Sequence, residues 1–325
     1  MRPTYDITHN ILKLSTTISR QLGEASVSTL SKPSPVLRDE NELKSVYASL
    51  KLDLCNIEID DLRKLLRYQR ASGNTDFMLH GYNALKTYRN IRSFEPSSKN
   101  SFLGAHKMFM GGIMDNPGRL RIKNVIHERG SVATHLSPPP HLVGFLMDEL
   151  FGFLKKSNEI PIIKSCLFFY EMLTIEPFSE GNGRVSRFWF KVLLRCDFPV
   201  FEYIPLEHLI YNNHDLLIDA LTKSGRIGKP TDFLEFMLTI IDTAIQDFFK
   251  QNEEIKTAEQ RLAFFVSETA KEFSRKDYMV TFNQISTATA SRDLKLGVEK
   301  GLLKKEGDKR KTIYKPEKQR VFVTQ

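Results

Sequence analysis

EPFSEGNGRVSR, from Glu176 to Arg187, is the most informative stretch of this chain of 325 residues. It follows an apolar run at 166–175 and combines two glycines with an amide, acids and two arginines. A chain that leaves a helix and turns on Gly181 and Gly183 exposes successive backbone N–H groups. A helix that starts there adds its positive dipole end. The stretch therefore predicts a cradle for an anion.

The charged side chains of this stretch indicate that the bound anion is a phosphate chain. Arg184 and Arg187 lie three residues apart, hence on one face of the predicted helix, and their planar guanidinium groups suit phosphate oxygens. Glu180 offers a hard oxygen ligand of the kind that Mg²⁺ takes beside phosphates. The residues alone predict a nucleotide-phosphate site; a glycine-rich joint with two solvated arginines is the simpler alternative.

The stretch closely resembles the signature of the Fic (Fido) family, His-x-Phe-x-(Asp/Glu)-Gly-Asn-Gly-Arg-x-x-Arg. Eleven of its twelve positions, spacers included, are compatible here, and Phe178 is in register with the signature phenylalanine. The resemblance implies a protein AMP-transferase, which binds ATP with Mg²⁺ and moves AMP to a hydroxyl of a protein side chain. The exception is the first position, where Glu176 replaces the histidine that is the family's general base.

The resemblance also implies a role for each matching position. Nucleotide binding is assigned to Glu180, Gly181, Asn182, Gly183, Arg184 and Arg187. Asn182 corresponds to the contact with the α-phosphate, Glu180 to the Mg²⁺ ligand, and the two arginines to clamps on the β- and γ-phosphates. Residues 123–136, here called the flap, are similar to a two-stranded family element that pairs with the target segment.

Glu176 leaves two outcomes open. An ionised carboxylate accepts protons, but its ordinary pKa of about 4.3 makes it a weaker base than imidazole at neutral pH. Loss of a general base costs on the order of 10²–10⁴-fold in rate. We therefore expect activity that is weakened or altered, with Glu176 and Asn182 as the catalytic residues. The alternative is an inactive protein in which Glu176 is an exposed acid at a helix end.

Residues 48–62, ASLKLDLCNIEIDDL, resemble the family's inhibitory helix, Ser/Thr-x-x-x-Glu-Gly/Asn. Ser49 is retained, Asp53 replaces the glutamate, and Leu54 replaces the small residue. The resemblance implies that the acid pairs with Arg187 and blocks productive ATP binding. Because Asp is one methylene shorter, we expect a stretched or water-bridged contact. An ordinary amphipathic helix with a solvated Ser and Asp is the alternative.

Other positions bear on the same site. Leu216 and Leu217 stand where many family members carry paired tyrosines near the adenine, which weakens the expectation of adenine specificity. On the flap, His135 is expected to be a surface or target-contacting residue. His106 follows a glycine in a helical stretch and is expected to face the core.

Most of the positive charge lies near the C-terminus. The formal net charge is +8, and residues 271–320 contain 14 Lys/Arg against 7 Asp/Glu. Helical patterns at 258–272, 275–282 and 285–303 precede a basic hairpin at 302–316, an order that resembles a winged helix-turn-helix. This implies DNA binding, and dimerisation or target docking is the alternative. The candidate contacts are Thr287, Thr289, Ser291, Arg292 and Lys295 on the recognition helix and Lys304, Lys305, Lys309, Arg310 and Lys311 on the wing.

The chain is predicted to be mainly α, with a Fic-type helical core, a β-hairpin flap and a small winged-helix (α+β) C-terminal domain. We expect an N-terminal helical region with a degenerate inhibitory helix at 1–95, a Fic core at 96–252 and the winged helix-turn-helix at 253–325. The chain has no apolar run long enough to span a bilayer and no apolar signal core. Its three scattered cysteines indicate neither disulfides nor zinc, so a cytoplasmic location is expected.

Three functions are compatible with the sequence. The first is an ATP-binding AMP-transferase of weakened or altered activity, acting on a protein target that can be the chain itself. The second is a catalytically inactive, nucleotide-binding and DNA-associated regulator. The third is a protein-interaction scaffold whose cradle binds nothing. A homodimer is compatible with each of them, and none requires a membrane.

Overall fold

The structure is a computed structural model. It describes residues 4–27, 33, 35–68, 76–125, 137–253, 257–268, 272–282, 285–307 and 312–317. The chain divides into two compact units, Met1–Ser26 with Glu40–Ile245 and Val27–Asp39 with Gln246–Gln325. The predicted functional division at residues 95 and 252 stays a prediction.

The first unit is helical. Its helices are α1 (His9–Val27), α2 (Pro35–Leu52), α3 (Ile59–Tyr68), α4 (Asp76–Arg89), α5 (Lys99–Met110), α6 (Pro140–Lys156), α7 (Pro161–Ile175), α8 (Asn182–Asp197), α9 (Leu206–Asn212), α10 (His214–Ile227) and α11 (Thr231–Glu253), of which α1, α2 and α11 continue into the residues of the second unit. Short 3₁₀ turns lie at Ile91–Ser93 and Pro199–Glu202. The mainly helical class predicted from the sequence is confirmed.

The helices α7 and α8 form the centre of this unit and pack directly against each other. The sequence of α7 begins with Pro161, which suits the first turn of a helix, and then runs apolar on nearly every side because the helix is surrounded by protein. In α8 an unbroken run from Arg184 to Leu194 is buried. Its two arginines therefore face protein, which excludes the simple alternative of solvated arginines.

An aromatic cluster fixes the segment between these two helices. Phe102 of α5 packs on Trp189 of α8 and on Phe178 of the signature, with ring centroids 5.2 and 5.6 Å apart. All three side chains are fully buried, and burying a large apolar side chain contributes about 1.5–3 kcal/mol. Phe178 thus fixes the signature loop to the hydrophobic core.

His106 of α5 ties this loop to the rest of the core. Its ring stacks on Phe178 at a centroid distance of 3.6 Å and is fully buried, as expected from the sequence. The Gly118 N–H donates to Nδ1 at 2.9 Å, so Nδ1 is unprotonated and Nε2 is the donor to the Glu180 carbonyl, also at 2.9 Å. Burial lowers the pKa of His106 to about 4, which keeps the ring neutral in this role.

The second unit contains α12 (Ala258–Glu268), α13 (Arg275–Thr281), α14 (Thr287–Glu299), β1 (Leu303–Glu306) and β2 (Ile313–Pro316). The two strands are antiparallel, with Leu303 opposite Pro316. A buried cluster joins the helices to the hairpin and comprises Leu262, Phe265, Phe273, Tyr278, Phe282, Ala290, Leu294 and Leu303. Three helices followed by a hairpin is the order that the sequence predicts.

Part of the predicted flap and part of the predicted wing are not among the residues that the structure describes. Residues 126–136 of the flap, with His135, lie outside the described residues, as do Lys309, Arg310 and Lys311 of the wing. None of the described helices combines the length and the apolar character that a bilayer crossing requires.

Stability in mild acid should depend on His106. The pKa of an unfolded histidine is about 6.5, and burial lowers the pKa of His106 to about 4. Between these values the unfolded chain binds a proton that the folded chain does not. The free energy of unfolding therefore falls as the pH falls through this window, by up to about 3 kcal/mol, and the loss is absent above it.

Urea unfolding at about pH 7.5 and about pH 4.5 measures this effect. His106→Asn should unfold more easily at neutral pH but should lose much of the pH dependence. His141→Asn, which alters an exposed histidine of α6, is the matched control and should keep it. An equal pH dependence in the His106→Asn variant and the parent would contradict the prediction.

Candidate functional site

The signature stretch forms the turn between α7 and α8. At the end of α7, Glu176 adopts a left-handed backbone with φ 46° and ψ 68°, and its N–H donates to the Met172 carbonyl. Gly181 precedes α8 with φ 75°, a conformation that glycine adopts without cost. For Glu176 the same region costs on the order of 1 kcal/mol. The backbone shape of this turn is therefore imposed by its surroundings.

Asn182 closes the turn upon itself. Its Oδ1 accepts from the Phe178 N–H at 2.8 Å, and its Nδ2 donates to the Phe178 carbonyl at 2.7 Å. Gly181 allows a close approach from α5, since a Cβ there would lie 2.8 Å from Met110 Sδ. The loop is thus preorganised by side chains, and the start of α8 points backbone N–H groups toward the space beside it.

Arg184 is buried and donates in two directions. Its Nε donates to Oδ2 of Asp53 at 2.9 Å, and its Nη1 donates to Nδ1 of His80 at 2.9 Å. The side chain is 4% exposed. It is therefore fixed by a carboxylate of the predicted inhibitory segment and by a neutral histidine nitrogen of α4.

Arg187 is held by the same carboxylate. Its Nη2 donates to Oδ1 of Asp53 at 2.6 Å and to the Ser49 carbonyl at 2.8 Å, and its Nε reaches Ser49 Oγ at 3.3 Å. The expected stretched or water-bridged contact is wrong, because the pairing is direct. Gly183 makes the approach possible, since a Cβ there would lie 2.7 Å from Arg187 Nη1 and 3.1 Å from Asp53 Oδ1.

Asp53 is thus clamped between two guanidinium groups. Burial by itself raises the pKa of this carboxyl, but the charges and hydrogen bonds of Arg187 and Arg184 outweigh burial, so the pKa lies below its ordinary value. The carboxylate is therefore anionic at neutral pH. The predicted amphipathic helix with a solvated Ser49 and Asp53 is excluded, because Ser49 is fully buried.

The turn that carries Asp53 places the next residue, Leu54, in a left-handed backbone conformation. The helix α2 ends at Leu52, and the Cys55 N–H returns to the Leu50 carbonyl at 3.0 Å. Leu54 sits at the left-handed position of this turn, with φ 55°, and is 86% exposed. This conformation favours glycine or asparagine, the residues of the family pattern. The turn keeps its shape with leucine at a cost on the order of 1 kcal/mol.

These contacts belong to a longer polar seam between α2 and α8. Ser45 and Ser49 of α2 and Asp53 just after its end recur every four residues, while Lys191 lies four residues beyond Arg187 on α8. Lys191 Nζ donates to Ser45 Oγ at 3.0 Å and to the Ile204 carbonyl at 2.9 Å.

A second buried acid completes the seam. Glu207 lies 3.4 Å from Lys191 Nζ and accepts from the Tyr88 hydroxyl at 3.0 Å. Sequence reasoning missed Ser45, Lys191, Glu207 and His80. Only the four-residue spacing of Ser45 from Ser49 was available as a signal.

The Glu176 carboxylate contacts a hydroxyl. Ser137 Oγ, in the segment just before α6, donates a hydrogen bond to Glu176 Oε2. The Glu176 carbonyl in turn accepts from Nε of Arg121 at 2.6 Å, and Nη2 of Arg121 donates to the Pro138 carbonyl at 2.6 Å. Neither Ser137 nor Arg121 was singled out from the sequence, because neither belongs to a recognisable motif.

Glu180 is exposed on the loop, and no cluster of three or more metal-ligating side chains occurs among the described residues. Mg²⁺ in nucleotide sites is commonly held by one or two carboxylates together with phosphate oxygens and water. A single accessible carboxylate beside a phosphate cradle fits that mode of binding. It does not fit a metal site built from protein ligands alone.

The two leucines of α10 differ in their surroundings. Leu216 is 57% exposed, whereas Leu217 is buried. The pKa of His214, at the start of the same helix, is lowered by burial and by the charge of Arg187. The first turn of α10 therefore lies near the arginine site, with Leu216 as an accessible apolar side chain.

Comparison with known proteins agrees with this geometry. Residues 96–194 match the model of the Fic/DOC family. A probable protein adenylyltransferase of Aquifex aeolicus is 23% identical over 158 residues, which are 46% of this chain and 48% of the relative. The chain thus spans about half of the length of this curated relative.

Solved structures show the same architecture. A Fic family protein from Desulfovibrio desulfuricans is similar over 98% of this chain and 100% of its own, with a TM-score of 0.76 and 26% identity. Fic-1 from C. elegans covers 75% of this chain and 73% of its own, with a TM-score of 0.60 and 16% identity, and shows the fold alone. Residues 96–194 therefore form a domain of the Fic/DOC family.

Proposed function

We propose that this chain binds ATP with Mg²⁺ at the signature loop, transfers AMP to a hydroxyl of a protein side chain, and is restrained by Asp53. The observation that carries the proposal is the direct bonding of Asp53 to both signature arginines. The family match and the naming of a relative as a probable adenylyltransferase support the reaction class. The proposal includes a cytoplasmic location, where ATP is supplied.

The start of α8 provides the phosphate-binding surface. Gly183 keeps a side chain away from the space beside Arg187, so that a phosphate can approach the free N–H groups and the positive helix end. Glu180 would hold Mg²⁺, which neutralises phosphate charge when bound. Asn182 would turn its amide N–H toward the α-phosphate.

Asp53 and a nucleotide compete for the same guanidinium groups. The carboxylate already occupies the donors of Arg184 and Arg187 that would bind the β- and γ-phosphates. A triphosphate must therefore displace Asp53 or bind without its full set of contacts. Displacing Asp53 also has an energetic consequence, because both arginines are nearly fully buried. Without an anion beside them, their positive charges would be buried and uncompensated, which destabilises the folded chain.

Glu176 is proposed as the proton acceptor. It occupies the signature position of the base, and its carboxylate is already within hydrogen-bond contact of a hydroxyl. As an acceptor it is weaker than imidazole, so the transfer step should be slow.

Replacing Asp53 by alanine should raise the affinity for ATP·Mg²⁺ by about 10- to 100-fold, since two charge-assisted hydrogen bonds no longer compete. The same variant should unfold more easily by about 3 kcal/mol without nucleotide, because two buried guanidinium groups lose their partner. ATP·Mg²⁺ should restore much of that loss. Titration calorimetry and melting curves measure both effects.

The matched control is Asp60→Ala, which removes an exposed acid whose ion pair is with Arg63 on α3. It should change neither the affinity nor the response of the melting temperature to ATP. If Asp53→Ala binds ATP no better than the parent, Asp53 does not restrain the site. If Asp53→Ala binds no ATP at all, the nucleotide-binding proposal fails.

Replacing Glu176 by histidine should increase AMP transfer by about 10²-fold or more, because imidazole is the stronger base near neutral pH. The measurement is incorporation of α-labelled ATP into protein, together with pyrophosphate release, in the Asp53→Ala background. Glu176→Gln is the isosteric control and should lower the rate below that of the parent. Equal rates for glutamate, glutamine and histidine would exclude a proton-transfer role for this position.

A second candidate function rests on α14 of the second unit. Asp293, the one acid between Thr287 and Val298, is buried and bonded to Arg261 at 2.7 and 3.0 Å and to the Tyr278 hydroxyl at 3.1 Å. Its negative charge is thereby neutralised within the core. The outward side of this part of the helix is left to hydroxyl groups and cations.

The cations on that side are accessible. Arg292 is exposed, and the Lys295 side chain is 78% exposed. Lys295 has a surface partner in Glu299 at 3.6 Å, a type of pair that contributes at most about 1 kcal/mol. This arrangement favours a DNA-associated regulator with a winged helix as the alternative to the enzyme.

DNA retention that depends on salt should require these two cations. Replacing Arg292 and Lys295 by alanine should lower the slope of log affinity against log salt by about 2, if each contacts one phosphate. Replacing Arg63 and Lys64 of α3 removes the same charge from the first unit and should leave the slope unchanged. Equal losses from both pairs would indicate nonspecific attraction, and no retention by the parent would exclude the regulator function.

A further inference from the structure

We infer that the Ser137 hydroxyl is an acceptor of AMP, so that the chain modifies itself in cis. This inference deepens the proposed function and rests on it, because it uses the same site and the same nucleotide. It adds the identity of one acceptor, which neither the family match nor the signature specifies.

The carrying observation is the hydrogen bond from Ser137 Oγ to Glu176 Oε2. A general base must lie within hydrogen-bond reach of the proton that it removes. Glu176 stands at the base position of the signature, and among the described residues Ser137 is the hydroxyl for which a bond to its carboxylate is seen. The serine therefore occupies the place of an acceptor hydroxyl in relation to the base.

A buried side chain holds the two groups together. The Arg121 guanidinium bridges the carbonyl groups of Pro138 and Glu176, each at 2.6 Å, and is only 5% exposed with its residue. The Arg121 backbone N–H also donates to the Pro177 carbonyl at 2.9 Å. The segment that carries the hydroxyl is thus bonded to the loop that carries the base.

The local sequence stiffens this segment further. Ser137 is followed by three prolines, Pro138, Pro139 and Pro140, and α6 begins at the last of them. Each proline fixes its φ near −65° and restricts the residue before it. The position of Ser137 is therefore set by the backbone and by Arg121, rather than by the hydrogen bond to Glu176 alone.

The chemical step is balanced by groups already named. Ser137 Oγ attacks the α-phosphorus of ATP, and its proton passes to the Glu176 carboxylate. A new Oγ–P bond forms as the bond between the α-phosphorus and the bridging oxygen to the β-phosphate breaks. Pyrophosphate leaves with that electron pair, and Ser137 carries AMP as a phosphodiester.

Proximity offsets the weakness of the base. A carboxylate is a poor acceptor for a serine proton at neutral pH, but effective molarities of well-oriented intramolecular groups reach about 10⁵ M or more. An acceptor in the same chain can therefore react where one from solution would not. Self-modification is expected to be slow, and its fraction should not depend on protein concentration.

The test uses the full chain with Asp53→Ala, α-labelled ATP and Mg²⁺. Peptide mass spectrometry should locate one AMP group on Ser137. The additional change Ser137→Ala should lower self-labelling by at least about tenfold, whereas Ser19→Ala, which alters an exposed serine of α1, should leave it unchanged. Ser137→Thr, which keeps a hydroxyl, should retain labelling. Diluting the protein about tenfold should leave the labelled fraction at a given time unchanged.

Glu176→Gln separates a chemical role from a structural one. The amide can still accept the serine hydrogen bond but cannot take its proton, so labelling of Ser137 should fall by about 10²-fold or more while melting changes little. The Glu176→His background, in which transfer should be faster, repeats the mapping with greater sensitivity. If Glu176→Gln melts as the parent does and labels Ser137 equally fast, Glu176 is not the base, and the proton transfer from Ser137 to Glu176 is overturned.

The outcomes separate this inference from the proposed function. Labelling that maps to another residue, or that survives Ser137→Ala, overturns the inference and leaves AMP transfer standing. Calorimetric binding of ATP·Mg²⁺ without any labelling, both in Asp53→Ala and in the same variant with Glu176→His added, also overturns the inference, while nucleotide binding remains. Absence of ATP binding in Asp53→Ala overturns the proposed function itself.

Discussion

A carboxylate shared by two buried guanidinium groups is the interaction on which the architecture of this site depends. Asp53 neutralises part of the charge that Arg184 and Arg187 bring into the protein interior. Burying unpaired charges costs several kcal/mol per ion, so the arginines can remain inside only with an anion beside them. In the folded chain that anion is Asp53, and in the proposed function a phosphate chain takes its place. The same electrostatic requirement thus links the stability of the fold to the ligand of the proposed function.

The seam between α2 and α8 extends this requirement along the helices. Lys191 is almost completely buried and is satisfied by Ser45, the Ile204 carbonyl and Glu207. Each of these bonds fixes the rotation of α8, and the rotation of α8 sets where its first turn directs its N–H groups. Stability far from the loop and geometry at the loop are therefore coupled through one helix.

Much of this arrangement was predictable from the sequence, and the limits have physical causes. The signature residues are contiguous, so their spacing alone indicated a turn, a helix start and two arginines on one face. The contact between Asp53 and Arg187 was predicted from the resemblance, but its directness was not. That directness depends on Gly183, whose missing side chain leaves room for the approach, and on the turn after α2.

Contacts between distant segments were less accessible to sequence reasoning. His106 was expected in the core, yet its two hydrogen bonds to Gly118 and Glu180 depend on tertiary packing. Arg121 and Ser137 are separated from Glu176 by 55 and 39 positions, and no motif links them. Such contacts between distant residues can be identified only in the three-dimensional structure. The helical class, by contrast, was predictable because helix periodicity is a local property of the sequence.

The left-handed backbone at Leu54 has a mechanical consequence. A leucine held at φ 55° stores on the order of 1 kcal/mol that would be recovered if this turn unwound. Because Leu54 is adjacent to Asp53, unwinding the turn would also carry the carboxylate away from its partners. This strain shifts the equilibrium between the formed and the unwound turn toward the unwound turn, in which Asp53 is released from the arginines, by about fivefold relative to a glycine at position 54.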